Sequence, residues 1–446
     1  MNTNDSPCFA VGPTAYGGRG CYATRDIPAG TVVHIARSPA TAVVFRDFRK
    51  EACAFCFCYD LGRSMKVRML PPTRQSTSPS TRSSVSSPFA GAGLWFCSER
   101  CRDRWLAEED GPAGELSTVL EAIETAVTHA RKKMQQTGSS AEYDVDFVPE
   151  SFDAGNDDDG YGDDDNYEDD DNAGCNSADP EDLDEIWNAM ARLLDTDATR
   201  VLKNPVANPH IKLRVLALDD VEYDSARLVA TAIVHRYLED SKTQTRPEFS
   251  WNALMQLESH EADLLGRLPS LLEAHVRVFF FLRIVMPPVY LPFVTPDAVR
   301  AVLGRESANA FGIWQLPLDI ESECLGSSIF PSASFFNHSC DANISKRRDG
   351  RQMVFTATRP VAAGEELNIS YGMLDSTDVR ARRRLLRRQW YFSCGCARCT
   401  RELHEFTAAA AASSPASETL SIASAPSAFS SPLAEEKDAD SAFTKP

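Results

Sequence analysis

The stretch SASFFNHSCDANIS (332–345) sets Asn337, His338, Ser339 and Cys340 directly behind the Phe335–Phe336 pair. A cysteine this close to a histidine first suggests a thiol nucleophile with its base. Near neighbours along a chain rarely aim two side chains at each other in the geometry that proton transfer needs. The rest of the sequence therefore has to say what Cys340 is for.

The other cysteines offer a different use for it. In FSCGCARCT (392–400), Cys394, Cys396 and Cys399 place three thiolates within six residues, a strong metal-binding pattern that lacks a fourth ligand. His404 lies five residues downstream, and the nearest upstream cysteine is Cys340. A second set pairs Cys53-x2-Cys56 with Cys97-x3-Cys101, two short loops that each offer two thiolates to one tetrahedral ion. Much of the gap between those pairs is the Ser/Thr/Pro run PPTRQSTSPSTRSSVSSP (71–88), and loop closure costs grow only slowly with length. Four unrelated thiols are the bland alternative. Thirteen cysteines clustered this way suit metal binding better than a disulfide framework.

Composition bounds the rest. The chain has 446 residues, 43% of them hydrophobic, which supports a sizeable core with large insertions or several domains. Its net charge is −18, but residues 142–185 hold 20 Asp and Glu and no Lys or Arg, so the acidity belongs to one segment. It says nothing about nucleic acid, and no direct nucleic-acid binding is expected. No apolar run of about 18 residues is present to cross a bilayer, and MNTNDSPCFA lacks a charged-then-apolar signal pattern. A cytoplasmic or nuclear protein, not membrane-bound and monomeric, is expected.

Residues 12–47 alternate Gly/Pro turns with β-branched runs and predict two or three short strands. Residues 105–136 read as helix broken at GPAG, and the Asp-rich tract 151–174 as a solvated, disordered linker. From 183 to 304 apolar residues recur at helical spacing, with HVRVFFFLRIV (275–285) apolar enough to be a buried helix. Short strands and turns return at 309–400, followed by an Ala/Ser/Pro tail.

Four motifs now stand in order: GRGCYATRDIPAG (18–30), NHSCDAN (337–343), GEELNISYG (364–372) and CGCARC (394–399). Together they resemble a SET-domain protein lysine methyltransferase. The paired cysteines between the opening strands and a helical insert look like the SET-and-MYND subgroup. The resemblance covers 12–50 and about 305–400 well, and 53–101 in part. It implies an α+β fold: a β-rich SET domain with a threaded, knot-like crossing near NHSC and ISYG, an inserted zinc module, a helical insert and a zinc-bound post-SET segment. The implied boundaries are 12–50 and 305–376 for the SET domain, 51–105 for the MYND-like module with a flexible loop at 71–93, and 142–185 for a disordered acidic insert. The helical insert takes 186–304, the post-SET segment 377–405 and a disordered tail 406–446.

The resemblance also implies roles. The cofactor is S-adenosylmethionine, contacted by the Gly18-Arg19-Gly20 turn, by Asn309, by Ser334, Asn337 and His338, and by Phe392 packing on the adenine. Tyr371 is the implied catalytic residue and also lines the cofactor pocket, while His338 acts through its backbone. Cys340 becomes the fourth ligand for Cys394, Cys396 and Cys399. With Cys53, Cys56, Cys97 and Cys101, that makes about two zinc ions per chain. The second ligand set of a complete MYND module is not found, so a truncated, one-zinc module is expected, with protein partners through it. A long helical C-terminal domain is likewise not expected. The implied partner is a protein substrate, histone or otherwise, that presents a lysine. A catalytically silent scaffold acting as an adaptor is the competing reading. Glu365 and Glu366 read as turn residues, His34, His210 and His235 carry no assigned chemistry, and Cys8, Cys21, Cys58, Cys175 and Cys324 read as free thiols.

Overall fold

The computed structural model describes residues 8–69, 91–137, 178–195, 209–243, 246, 248–319, 321–372 and 378–413. The expected Ser/Pro loop at 71–88 and the Asp-rich tract at 151–174 lie outside them. The chain divides after Thr400 into two units. Of the second, only the helical residues 401–413 are described.

Four short strands open the fold: β1 (Phe9–Pro13), which starts ahead of the stretch read as strands, and then three within 12–47, β2 (Arg19–Ala23), β3 (Val32–Ala36) and β4 (Thr41–Val44). Two-residue strands β5 (Val67–Arg68) and β6 (Trp95–Phe96) follow, then α1 (Glu99–Glu108) and α2 (Glu115–Thr137), separated at the GPAG break. The helical part comprises α3 (Pro180–Asp195), α4 (Pro209–Leu216), α5 (Asp220–Asp240), α6 (Trp251–Met255), α7 (Glu261–Arg267), α8 (Ser270–Val285) and α9 (Pro296–Asn309). The chain then returns to strands β7 (Ala310–Trp314), β8 (Cys324–Ile329), β9 (Ile344–Asp349) and β10 (Gln352–Ala357), and ends in α10 (Val379–Trp390) and α11 (Ala397–Ser413).

Among the described residues the strands form four small antiparallel sheets, β1–β2, β3–β10–β9, β4–β8–β7 and β5–β6. Chain-distant pairings close the fold. Tyr22 bridges Glu366, Ile27 bridges Val361, and His338 pairs in parallel with Ile369. The last pairing sets the NHSC segment beside ISYG, with Ser339 N–H donating to Ile369 O and Ile369 N–H to Asn337 O.

Two apolar cores divide the work. A small one joins the sheets through Cys21, Val33, Phe330, Phe336, Phe355, Leu367 and Ile369, with the Phe336 and Phe355 rings stacked 4.7 Å apart. A larger one surrounds α5 and α8, which are apolar on most sides because helices pack around them. Helix α5 starts at a reciprocal cap between Asp219 and Glu222.

Several boundaries move. Helix α3 begins at Pro180, inside the expected acidic insert, because a first-turn proline followed by Glu181 and Asp182 favours helix initiation. The helical stretch runs on to Asn309, past the expected limit of 304. The expected loop at 71–93 closes too late: Ala92 is buried and Gly91 sits at φ 122 against Met69 O. Helix α11 continues to Ser413, through residues expected in the disordered tail, since its alanine run favours helix.

Candidate active site and metal centres

A cavity of about 700 Å³ opens where these distant segments meet. That volume suits a nucleoside-sized ligand. Its walls include Gly18, Arg19, Asn309, Ser334, Asn337, His338, Tyr371 and Phe392, so eight of the nine residues expected at the cofactor line one space.

Gly20 is the ninth, and it stands behind the wall. A Cβ there would lie 2.4 Å from Glu366 Oε1 and 2.8 Å from Asn337 Nδ2. Gly18 keeps φ at +72 in the turn before it, a conformation that side chains disfavour. The Asn337 amide donates to Arg19 O at 3.0 Å and to Glu366 Oε1 at 2.8 Å, which fastens the turn to NHSC. Asn309 caps the end of α9 and donates through Nδ2 to Glu258 O and Arg305 O, leaving its side-chain oxygen to meet a ligand. Ser334 Oγ donates to Asn309 O at 3.1 Å and to Phe330 O at 3.0 Å, joining that helix end to the segment before NHSC.

Tyr371 is set among rings: His338 at 5.4 Å, Trp390 at 5.6 Å and Phe392 at 6.1 Å. Burial raises its hydroxyl pKa above the ordinary tyrosine value, and Cys21 and Glu366 add to the effect. The hydroxyl therefore stays protonated, as a hydrogen-bonding group and not a base. His338 is buried, which pulls its pKa down to about 4. Its Nδ1 accepts the Tyr371 N–H at 3.1 Å, so the proton of the neutral ring sits on Nε2, 3.2 Å from Cys340 Sγ.

Both cysteine quartets assemble as expected. Cys53, Cys56, Cys97 and Cys101 have sulfurs all within 4.8 Å of one another, and so do Cys340, Cys394, Cys396 and Cys399. Individual separations of 3.7 Å (Cys56–Cys97), 3.5 Å (Cys97–Cys101), 3.9 Å (Cys340–Cys394) and 3.5 Å (Cys340–Cys399) bracket the ~3.8 Å edge of a tetrahedron with 2.3 Å metal–sulfur bonds. No third cluster occurs among the described residues. In the first quartet Ser98 caps α1 by accepting the Cys101 N–H, placing Cys97 and Cys101 at a helix N-terminus that favours thiolates. In the second, Cys340 reaches the metal-ligand group and takes no nucleophile's position. His404 is outside this quartet.

The SET-domain family profile matches residues 18–372. The chain belongs to the SET-domain family. A Saccharomyces cerevisiae protein named potential protein lysine methyltransferase SET6 is 29% identical over 402 residues, covering 89% of this chain and 96% of that protein. A SET and MYND domain-containing protein of Dictyostelium discoideum is 40% identical over 101 residues, covering 23% of each chain. The histone-lysine N-methyltransferase SMYD3 of Mus musculus is 29% identical over 181 residues, covering 40% of this chain and 39% of that protein. The expected α+β SET architecture, of the SET-and-MYND kind, stands.

Within this SET domain some neighbours of the site escaped the sequence reading. Glu366 is more than a turn residue: it accepts from Tyr16 at 2.8 Å and from Asn337, holding the glycine turn to the cavity. Glu365 does serve the turn, through Arg359 at 2.7 Å and Asn343 at 3.1 Å. Leu257, Glu258 and His260 bring the helical part into the wall. Arg382 is fully buried and directs Nη2 at Cys399 Sγ, 3.6 Å away, where its charge offsets a thiolate cluster. Lys346 lies against Tyr371, with Nζ donating to Tyr371 O at 3.1 Å.

Proposed function

We propose that this SET domain transfers a methyl group from S-adenosylmethionine to the side-chain amine of a lysine in a protein substrate. The observation that carries the reading is the position of Tyr371, which joins the wall of the 700 Å³ cavity to a cluster of aromatic rings. When bound, the methyl donor supplies an electrophilic methyl on a positively charged sulfur.

The chain's own residues do the rest. Backbone and side chains of Gly18, Arg19, Asn309, Ser334, Asn337 and His338 hold the donor, and Phe392 presents an aromatic face to its adenine. The side-chain oxygen of Asn309 suits the donor's ammonium. Tyr371, kept protonated by burial, orients the incoming amine with its hydroxyl, and its ring environment excludes water. An apolar channel lowers an ammonium's pKa and so favours the free amine. Displacement at methyl needs alignment above all, so positioning supplies most of the rate.

Both quartets are assigned to zinc, about two ions per chain, on the strength of four thiolates at tetrahedral spacing in each. The quartet of Cys340, Cys394, Cys396 and Cys399 staples the donor pocket. The other shapes a reduced MYND-like module offered to protein partners. Thiolates kept free for metal fit a reducing compartment, cytoplasmic or nuclear.

The test is methyl transfer from labelled donor to a protein lysate, comparing parent and Tyr371→Phe chains. The variant should lose about 10²-fold or more in rate. Equal labelling by both would sink the assignment of Tyr371, and no labelling by either would sink the reaction itself.

A further inference from the structure

Lys346 is a cationic residue on the inward face of strand β9, next to the buried Ile344. Along β9 burial alternates, with Ile344, Lys346 and Arg348 turned inward and Ser345, Arg347 and Asp349 exposed. Pairing of Lys346 with Phe355 of β10 fixes that register. A lysine directed inward in this way is uncommon and asks for a reason.

Its amine has arrived beside the reaction centre. Lys346 Nζ lies 5.7 Å from the centre of the Phe311 ring and 5.9 Å from that of Tyr371, and it donates to Tyr371 O at 3.1 Å. Tyr371 borders the cavity, whereas Lys346 does not line it. The amine thus sits against Tyr371 without forming part of the donor-sized space. An amine between aromatic rings and next to the catalytic tyrosine is what a lysine substrate must present.

We propose that Lys346 is an acceptor for this chain's own methyltransferase activity, so that the protein methylates itself at Nζ of Lys346 in cis. The inference rests on the function proposed above. In the step, the Nζ lone pair forms a bond to the donor methyl carbon, and the carbon–sulfur bond breaks with its electron pair retained by sulfur. The donor leaves as S-adenosylhomocysteine, and the methylated ammonium releases one proton to solvent.

Burial supports the chemistry by pulling the Lys346 pKa down to about 8. At neutral pH about a tenth of the chains would then carry the reactive free amine, far more than for an ordinary exposed lysine. Tyr371, against which the amine packs, is held above its ordinary value and stays protonated.

The experiment incubates the purified full chain alone with methyl-labelled S-adenosylmethionine and maps label by peptide mass spectrometry. Label on Lys346 is expected in the parent. It should be absent from Lys346→Arg and reduced about 10²-fold in Tyr371→Phe. A tagged Tyr371→Phe chain mixed with untagged parent should stay unlabelled at Lys346, and the parent's rate constant should not change with protein concentration. Labelling of that tagged chain would show transfer between molecules and overturn the cis assignment. Calorimetry with S-adenosylhomocysteine should give Lys346→Arg an affinity within about twofold of the parent, because Lys346 is outside the cavity wall. A tenfold loss would make Lys346 part of donor binding and overturn its role as acceptor. An unlabelled Lys346 in a chain that labels lysate proteins through Tyr371 overturns this inference alone. A chain that labels neither overturns it together with the proposed function.

Discussion

Tyr371 and His338 are joined by a hydrogen bond from the tyrosine main-chain N–H to the imidazole Nδ1, 3.1 Å long. The opposite nitrogen of that ring is 3.2 Å from Cys340 Sγ. One neutral histidine therefore connects the Tyr371 backbone to the cysteine quartet. His338→Ala would leave a buried N–H without its acceptor, a loss of about 1–3 kcal/mol. Chemical denaturation should report that loss, and methyl transfer should fall with it. If both stay at parental levels, the ring only fills space.

The two metal quartets should respond differently to loss of a ligand. Cys394 and Cys396 border the proposed donor cavity, and among the described residues none between 53 and 101 does. Cys399→Ser should therefore lower bound zinc from about two per chain to one and weaken S-adenosylhomocysteine binding as well. Cys97→Ser should remove one zinc and spare that binding. Elemental analysis with calorimetry on both variants checks the asymmetry, and equal losses of affinity would contradict it.

Gly20→Ala tests how tightly the glycine turn is packed. The new methyl would lie 2.4 Å from Glu366 Oε1 and 2.8 Å from Asn337 Nδ2, so the bonds that Glu366 and Asn337 share must open. The expected result is donor affinity lower by about tenfold or more, equivalent to roughly 1.4 kcal/mol, with the fold retained. Gly350 faces much looser surroundings, its nearest atom being Cys56 O at 4.0 Å, but its φ of +61 strains an alanine there too. Gly12, whose Cβ would meet only Tyr22 at an ordinary 3.5 Å, with no such φ and a place outside the cavity wall, gives the cleaner control for alanine substitution. Unchanged affinity in Gly20→Ala would mean that the turn yields freely.

A pH effect on stability can be isolated at His275 in α8. Burial pulls its pKa down to about 4, and its Nδ1 has no hydrogen-bond partner among the described residues. The unfolded chain has the ordinary value of ~6.5, so between those two values it binds the extra proton. Folded-state stability from this site is therefore intact above ~6.5 and declines as pH falls toward 4. His275→Leu removes that loss. Its stability relative to the parent should rise by about 2 kcal/mol between pH 7 and pH 5, measured by urea denaturation at both. A constant difference across those pH values would show that His275 does not titrate as its burial dictates.

Much of the site is legible from the sequence because it lies in short motifs. The three cysteines of CGCARC advertise a missing ligand, and Cys340 sits in a motif that the resemblance places beside them. The structure brings the four sulfurs together. What the sequence hides are contacts between residues far apart. Tyr16 and Glu366 meet across 350 positions, and neither has a local pattern that predicts the other. Arg382 looks like one more basic residue in VRARRRLLRRQW, and only its burial against Cys399 distinguishes it. Leu257, Glu258 and His260 fall in a helical stretch whose periodicity says only that it packs. Lys346 follows NHSCDANIS in a strand, where alternation gives the inward face but not what lies beneath it.

The cavity draws its walls from both ends of the folded unit, from Tyr16 to Ala397, and one wall depends on a cluster completed at Cys399. During synthesis on the ribosome, no methyl-donor site can exist until nearly all of that unit has emerged and the last cysteine is free to bind its ion. A message truncated ahead of Cys394 would yield a chain with its glycine turn and Tyr371 but no competent pocket. Donor binding thus reports that the chain has been made through Cys399, and a product interrupted ahead of Cys394 is silent instead of indiscriminately active.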